Sequence, residues 1–388
     1  MEFDTLPLTG GRTAPASGGV PNVPPIVPSV GYVHSTMAAT DAALDGADFV
    51  YGRNANPTPA MLEEVIAQLE ESEDAVVFGS GMAAVHAALL ATALPGATIV
   101  AAEQLYGVTR TLLDWMAYAL GYSVHYADFL DVAAMRHALA EYQPAAVVCE
   151  VLTNPLAQVV RLDHVLDAAG SAQVIVDNTF ATPMLLRPIP MGAALVVHSA
   201  TKFINGHGDV LAGVVAGGGD LIGAVREFRT LLGANLDAFG AWLALRGVRT
   251  LALRMRQSCA SALAVAQALA DHPRVERVYY PGLPTDRYHA DAAALFGGDQ
   301  FGATLAFDLA AADRDMVFAF VESLTLIQSV TSLGDIFTEI SHPATASHRS
   351  LSPQQQAGVG IREGTLRLSI GIEAPSDIIA DLIGALDG

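Results

Sequence analysis

Lysine is almost missing from this chain. Of 20 basic residues, 19 are arginine and one, Lys202, is lysine. Arginine supplies charge but, at its very high pKa, almost never a neutral nucleophilic amine; a desolvated lysine can supply one. Taken alone, the count fits a lysine left by chance on a surface loop equally well. Cysteine is scarce too. Cys149 and Cys259 are far apart and fit no metal or redox spacing, so two buried free thiols and no metal site are expected. Charged residues make up only 15% of the chain, and the balance is strongly negative, −20 at pH 7. An acidic surface repels phosphate backbones and anionic lipid, which argues against nucleic-acid and membrane-surface partners. No apolar run is long enough to span a bilayer, and MEFDTLPLTGG lacks the basic and apolar regions of a secretory signal. A cytoplasmic protein is the expectation.

What is plentiful is apolar: 52% of the residues are hydrophobic. Such a composition buries large cores and excludes disorder as the main state. At 388 residues the chain exceeds what one core usually organises, so two units are expected. With so little charge, some apolar surface should be covered by further copies of the chain.

Residues 1–50 are rich in Pro, Gly, Ser and Thr and read as an extended arm. Thr58 can then cap a helix with Pro59 at its first position. Short apolar runs at 75–78, 97–102, 145–151, 173–177, 194–199 and 211–217 read as buried strands. Amphipathic stretches at 81–93, 107–120 and 130–142 lie between them. This alternation predicts an α/β fold with a mostly parallel sheet covered on both faces. A long helical stretch around 235–270 leads to a second, smaller α/β unit, with strands expected at 302–309, 324–330 and 365–371.

Four segments carry candidate chemistry. FGSGMAA (78–84) joins a strand to a helix, where glycines let backbone N–H groups approach an anion. Gly79, Gly81 and Ala84 with Glu103 also outline a dinucleotide fingerprint, and a plain tight turn explains the glycines as well. Asp177 closes the strand VIVD, where a carboxylate can hold a heterocycle's nitrogen protonated or merely cap a turn. In HSATKF (198–203), two hydroxyls beside the lone lysine suit a phosphate ester, or simply form a polar loop. Arg367 lies between Leu366 and Leu368 in an apolar strand. A buried arginine needs an anion, either a substrate carboxylate or an internal partner.

Together, and in this order, the motifs resemble one family. YGRNANPT (51–58), GSGMAA (79–84), LYG (105–107), TNP (153–155), DNTFATP (177–183), SATKFINGH (199–207), SLGD (332–335), HPA (342–344) and RLSIGIE (367–373) are similar to the pyridoxal 5'-phosphate (PLP) enzymes of cysteine and methionine metabolism. These include cystathionine γ-synthase, the cystathionine lyases, methionine γ-lyase and the homoserine-ester sulfhydrylases. The likeness runs from about residue 30 to the C-terminus and favours a phosphate over a dinucleotide at the glycine loop. It implies the fold of type I PLP-dependent transferases: an arm over 1–50, a PLP-binding domain over 51–245 and a C-terminal domain over 246–388.

The resemblance also implies roles. Lys202 would carry PLP and move protons. Gly81 and Met82 would give N–H groups to the phosphate, and Ser199 and Thr201 hydroxyls. Tyr51 and Arg53 would reach the phosphate in a neighbouring subunit, making a dimer the minimum active unit and a tetramer of two dimers the usual assembly. Tyr106 would stack on the ring and act as an acid. Asp177 would pair with the ring nitrogen, with Asn154 near the ring hydroxyl. Arg367, with Ser332 close by, would bind the substrate carboxylate. Where the family chooses substrates, this chain has Val108 in place of a methionine-lyase cysteine, and Thr111 and Phe337 in place of a cystathionine-site arginine and glutamate. The reading is γ-elimination on a sulfur amino acid. A γ-replacement synthase is the alternative, and a nicotinamide oxidoreductase or an inactive PLP-fold binding protein is more remote.

Overall fold

A computed structural model of the chain describes residues 1–10, 21–349 and 351–388. Seven strands form the larger sheet: β1 Asp74–Phe78, β2 Thr98–Ala102, β3 Ser123–Ala127, β4 Ala146–Glu150, β5 Gln173–Asp177, β6 Leu195–His198 and β7 Gly213–Gly217. Their spatial order is β1-β7-β6-β5-β4-β2-β3. Neighbours from β6 through β3 run parallel, and only β7 is reversed, antiparallel to both β6 and β1. The central runs are valine-rich and buried on both faces, as parallel pairing with helical crossovers requires. Helices Gly81–Thr92, Gly107–Leu120 and Val132–Tyr142 supply crossovers close to the expected bounds.

Five strands form the smaller sheet: β8 Val275–Tyr279, β9 Thr304–Leu309, β10 Gln328–Ser329, β11 Glu339–Ser341 and β12 Thr365–Ser369, in the order β10-β11-β12-β9-β8. Antiparallel pairing splits its faces. Ile340, Leu366, Leu368, Leu305 and Phe307 form an apolar face, with Phe307 meeting helical Phe320 edge-on at 6.1 Å. The other face carries Thr304, Glu339, Ser341, Arg367 and Ser369 and looks towards the larger sheet. There Ala306 packs with Leu156 and Tyr279, and Arg367 reaches Asn154.

Several expectations need correction. Asn56, not Thr58, caps the helix Pro57–Glu70; Thr58 sits inside it, its hydroxyl donating to Pro25 O and accepting from Val27 N–H. Those bonds tie down the preceding segment, as does Trp242 Nε1 donating to Pro24 O at 3.0 Å. Residues 1–10 and 21–50 are only partly extended, since they include helices Leu6–Thr9 and Met37–Ala42; residues 11–20 lie outside the described residues. The 235–270 stretch is two helices, Ala238–Val248 and Leu251–Ala270. The expected strand over 324–330 shrinks to Gln328–Ser329, while β3, β8 and β11 carried no clean apolar run to find them by. Among the described residues, no helix is long and apolar enough to cross a membrane.

Candidate active site

Parallel sheets open their crevices beyond the C-terminal ends of their strands. Here β4, β5 and β6 end side by side, with Glu150 in register with Asp177 and Asp177 with Val197. The chain leaving β6 turns at Ser199 and presents Lys202. This turn is braced from below: Lys202 N–H donates to Ser199 O at 3.1 Å, and buried Arg254 donates to Phe203 O at 2.6 Å and Ile204 O at 3.1 Å.

Lys202 Nζ donates to Ser332 Oγ at 2.8 Å. Burial, and next the Arg367 charge, pull its amine below the ordinary lysine value, against Glu339 and Asp335. A lowered amine pKa makes the neutral, nucleophilic form easier to reach. Ser332 arrives on a loop pressed against the lysine backbone. At Gly334 (φ +80°), a Cβ would lie 2.6 Å from Phe203 N and 3.0 Å from the Lys202 carbonyl carbon, so only glycine fits.

Arg367 is buried, donating from Nη1 to Asn154 Oδ1 at 2.9 Å and from Nη2 to Ser332 O at 2.6 Å. Its Nε has no partner, and burial brings its pKa down to about 10. Tyr106 begins the helix Gly107–Leu120, and burial raises its phenol, with Arg367 opposing. Its backbone N–H donates to Glu150 Oε1 at 2.5 Å, and Asn154 N–H donates to Glu150 Oε2 at 3.3 Å. Glu150 therefore fixes two site residues at once. Burial, and then Asp177, push its carboxyl well above the usual range. Burial raises Asp177 as well, opposed by hydrogen bonds from Thr179, whose N–H reaches Asp177 Oδ1 at 3.0 Å.

The expected anion cradle, 79–84, falls at the start of helix Gly81–Thr92. Ser80 Oγ takes the Ala83 N–H and Ser80 O the Ala84 N–H, so neither bond uses the leading N–H groups of Gly81 and Met82. A Cβ on Gly81 would fall 2.8 Å from Ser199 Cβ and 3.0 Å from its Oγ. Gly81→Ala should therefore displace Ser199 and lower the amount of cofactor retained through purification, read from absorbance at the cofactor band; full retention would show that the cradle tolerates the methyl.

Not every expected residue joins this cluster. The Thr201 hydroxyl is engaged twice with Ala212, donating to its O at 3.1 Å and accepting from its N–H at 2.9 Å. Tyr51 and Arg53 are exposed, and Arg53 contacts Tyr51, Thr230 and Asn235. Val108, Thr111 and Phe337 are also exposed. Glu150, Arg254 and Glu339 escape the sequence reading because each takes its meaning from groups far away along the chain. Among the described residues, no group of three or more His, Cys, Asp or Glu could hold a metal ion, and Cys149 and Cys259 are free and buried.

A half-buried amine of lowered pKa, a helix start with unengaged N–H groups, and a carboxylate at the neighbouring strand end make a site that an aldehyde cofactor held on lysine would suit. The chain belongs to the Cys/Met metabolism PLP-dependent enzymes, the family it matches over residues 4–387. It is 37% identical to the O-succinylhomoserine sulfhydrylase of Pseudomonas aeruginosa, covering 99% of this chain and 95% of that one. It is 39% identical to the L-methionine gamma-lyase of Brevibacterium sandarakinum, covering 100% and 98%. A crystal structure of cystathionine gamma synthase from Xanthomonas oryzae superposes with a TM-score of 0.93 at 35% identity, covering 100% and 98%. PLP is the cofactor of this family. The site fits it, because the closed contact of Gly81 with Ser199 and the half-buried Lys202 amine suit a phosphate and an aldehyde on one ring.

Proposed function

We propose that the chain is a γ-lyase that converts a sulfur amino acid such as methionine, homocysteine or cystathionine, with one water, to 2-oxobutanoate, ammonia and a thiol. One observation carries the reading. Ser332 binds Lys202 Nζ through its hydroxyl and Arg367 through its carbonyl, at 2.8 and 2.6 Å. A single residue thus sets the spacing between a proton-moving amine and a carboxylate-binding fork.

Gly81, Met82, Ser199 and Lys202 would hold PLP, with Asp177 at its ring nitrogen and Asn154 near its hydroxyl. Bound there, PLP supplies an electron sink for the charge left when the α-proton departs. Arg367 orients the substrate by its carboxylate. Lys202 Nζ would take the proton from Cα, hand it on within the site, and then take a Cβ proton as the γ-sulfur leaves. Tyr106 would protonate that sulfur. Uncharged Val108, Thr111 and Phe337 would line the distal side and suit a less polar group than the second amino-acid end of cystathionine. Tyr51 and Arg53, exposed in one chain, would serve the pocket of a second in a cytoplasmic homotetramer.

Product analysis tests this. Methionine, homocysteine, cystathionine and O-succinylhomoserine are each supplied with and without a thiol. Release of 2-oxobutanoate and ammonia without thiol is expected. Turnover that needs an acceptor would identify a γ-replacement synthase instead, and far better cleavage of cystathionine than of methionine or homocysteine would overturn the distal-pocket assignment.

A further inference from the structure

Glu339 has no role in the chemistry above, yet it is built into the same site. It lies on β11, only 5% exposed, and its Oε2 is buried without a hydrogen-bond partner. A buried polar atom left unpaired calls for an explanation. The register gives its surroundings: Glu339 pairs with Ser369, and Ser341 with Arg367. Glu339 and Arg367 are therefore diagonal neighbours on one sheet face, a separation of roughly 7–8 Å in antiparallel sheets. The row continues through Ser369, whose hydroxyl accepts Gly334 N–H at 2.7 Å, to Thr304, whose Oγ1 is also unpartnered.

The charged groups facing Glu339 come from three elements: Arg367 on β12, Lys202 after β6, and Asp335 on the 332–335 loop. Tyr106 and His348 stand by Arg367 in turn. Arg367, the Lys202 amine and the acids Asp335 and Glu339 thus share the site, and with the amine taken up by the cofactor Arg367 is the cation left facing Glu339. A carboxylate docking on Arg367 would add a third negative charge beside Glu339 in a place where water cannot screen it.

We propose that Glu339 is a positioning residue acting through Arg367: as the substrate's carboxylate docks, the Glu339 carboxylate takes up one proton from solvent, and this exchange of charge lets the anion bind. The only bond formed is the O–H on Glu339. The inference rests on the assignment of Arg367 as the carboxylate anchor. Burial, followed by Asp335, already holds Glu339 up at about 7 against the pull of Lys202 and Arg367, and a further neighbouring anion raises it more. The sign follows: above that value the free site must gain a proton to bind, so affinity falls as pH rises; below it, the proton is already in place.

The probe is 4-(methylsulfanyl)butanoate, methionine without its amine, which binds but cannot turn over. Calorimetric titration of PLP-loaded wild type, Glu339→Gln and Glu339→Asp is run between about pH 6 and pH 8.5. In wild type the dissociation constant should rise on the order of tenfold across this range, with a binding heat that depends on the buffer because a proton is taken up. Glu339→Gln should bind with the low-pH affinity throughout and take up no proton there. Glu339→Asp should retain the slope. Wild-type binding that ignores pH, or an undiminished slope in Glu339→Gln, overturns the proposal. Should Glu339→Gln fail to fold, the buffer-dependent heat of wild type and the slope in Glu339→Asp decide. Products from methionine are measured on the same preparations, so failure of the γ-lyase reading registers separately from failure of this one.

Discussion

Lys202→Arg should lower turnover by about a thousandfold or more while the protein stays folded. The substitution preserves the positive charge and much of the length. It removes the one side-chain amine, which on the proposed assignment loses its proton, becomes covalently bound to an aldehyde and returns a proton to substrate. The surroundings of Lys202 make the loss specific: its Nζ serves Ser332 at 2.8 Å, and a guanidinium can still donate there. Far-ultraviolet circular dichroism and the melting temperature should therefore change little. Borohydride treatment followed by peptide mass spectrometry should find the cofactor on residue 202 in wild type and nowhere in the variant. Substantial residual activity, or an adduct elsewhere in wild type, would refute the assignment.

Arg367→Lys should reduce kcat/KM by tens to hundreds of fold, mostly through KM. Arg367 uses two guanidinium nitrogens on Asn154 Oδ1 and Ser332 O, at 2.9 and 2.6 Å. A lysine ammonium is a point donor and cannot reproduce that fork or meet a carboxylate with two parallel bonds. Hydrogen bonds to charged groups contribute about 1.5–3 kcal/mol each, which sets the size of the expected loss. Steady-state kinetics on methionine and homocysteine separate the terms. An unchanged KM with a depressed kcat would mean that Arg367 orders the pocket rather than binding substrate.

Much of this is legible in the sequence. Runs such as VIVD and AVVCE are buried on both faces, so their apolar character alone marks them as interior strands, and the residues ending them inherit the crevice. Lys202 was conspicuous by number, and Arg367 by the leucines on either side. Less was visible where an acid or hydroxyl takes its meaning from a distant partner. Glu150 precedes TNP by a few residues and looks like a strand-end charge; only the fold brings Tyr106 N–H to it across 44 positions. Thr201 sits beside the lysine as a phosphate donor should, but the reversed β7 delivers Ala212 to its hydroxyl first. The strand SVHYA at the sheet edge is partly exposed along most of its length, which blurs the apolar run that marks an interior strand.

The scarcity of lysine gives the pocket a built-in reporter. Reagents selective for lysine side chains meet one target per chain, and that target is screened by Ser332 and the 332–335 loop. With the cofactor on Lys202 as proposed, the extent of such labelling would report how many copies in a preparation lack their vitamin, with no need to isolate a particular peptide from a background of other modified side chains.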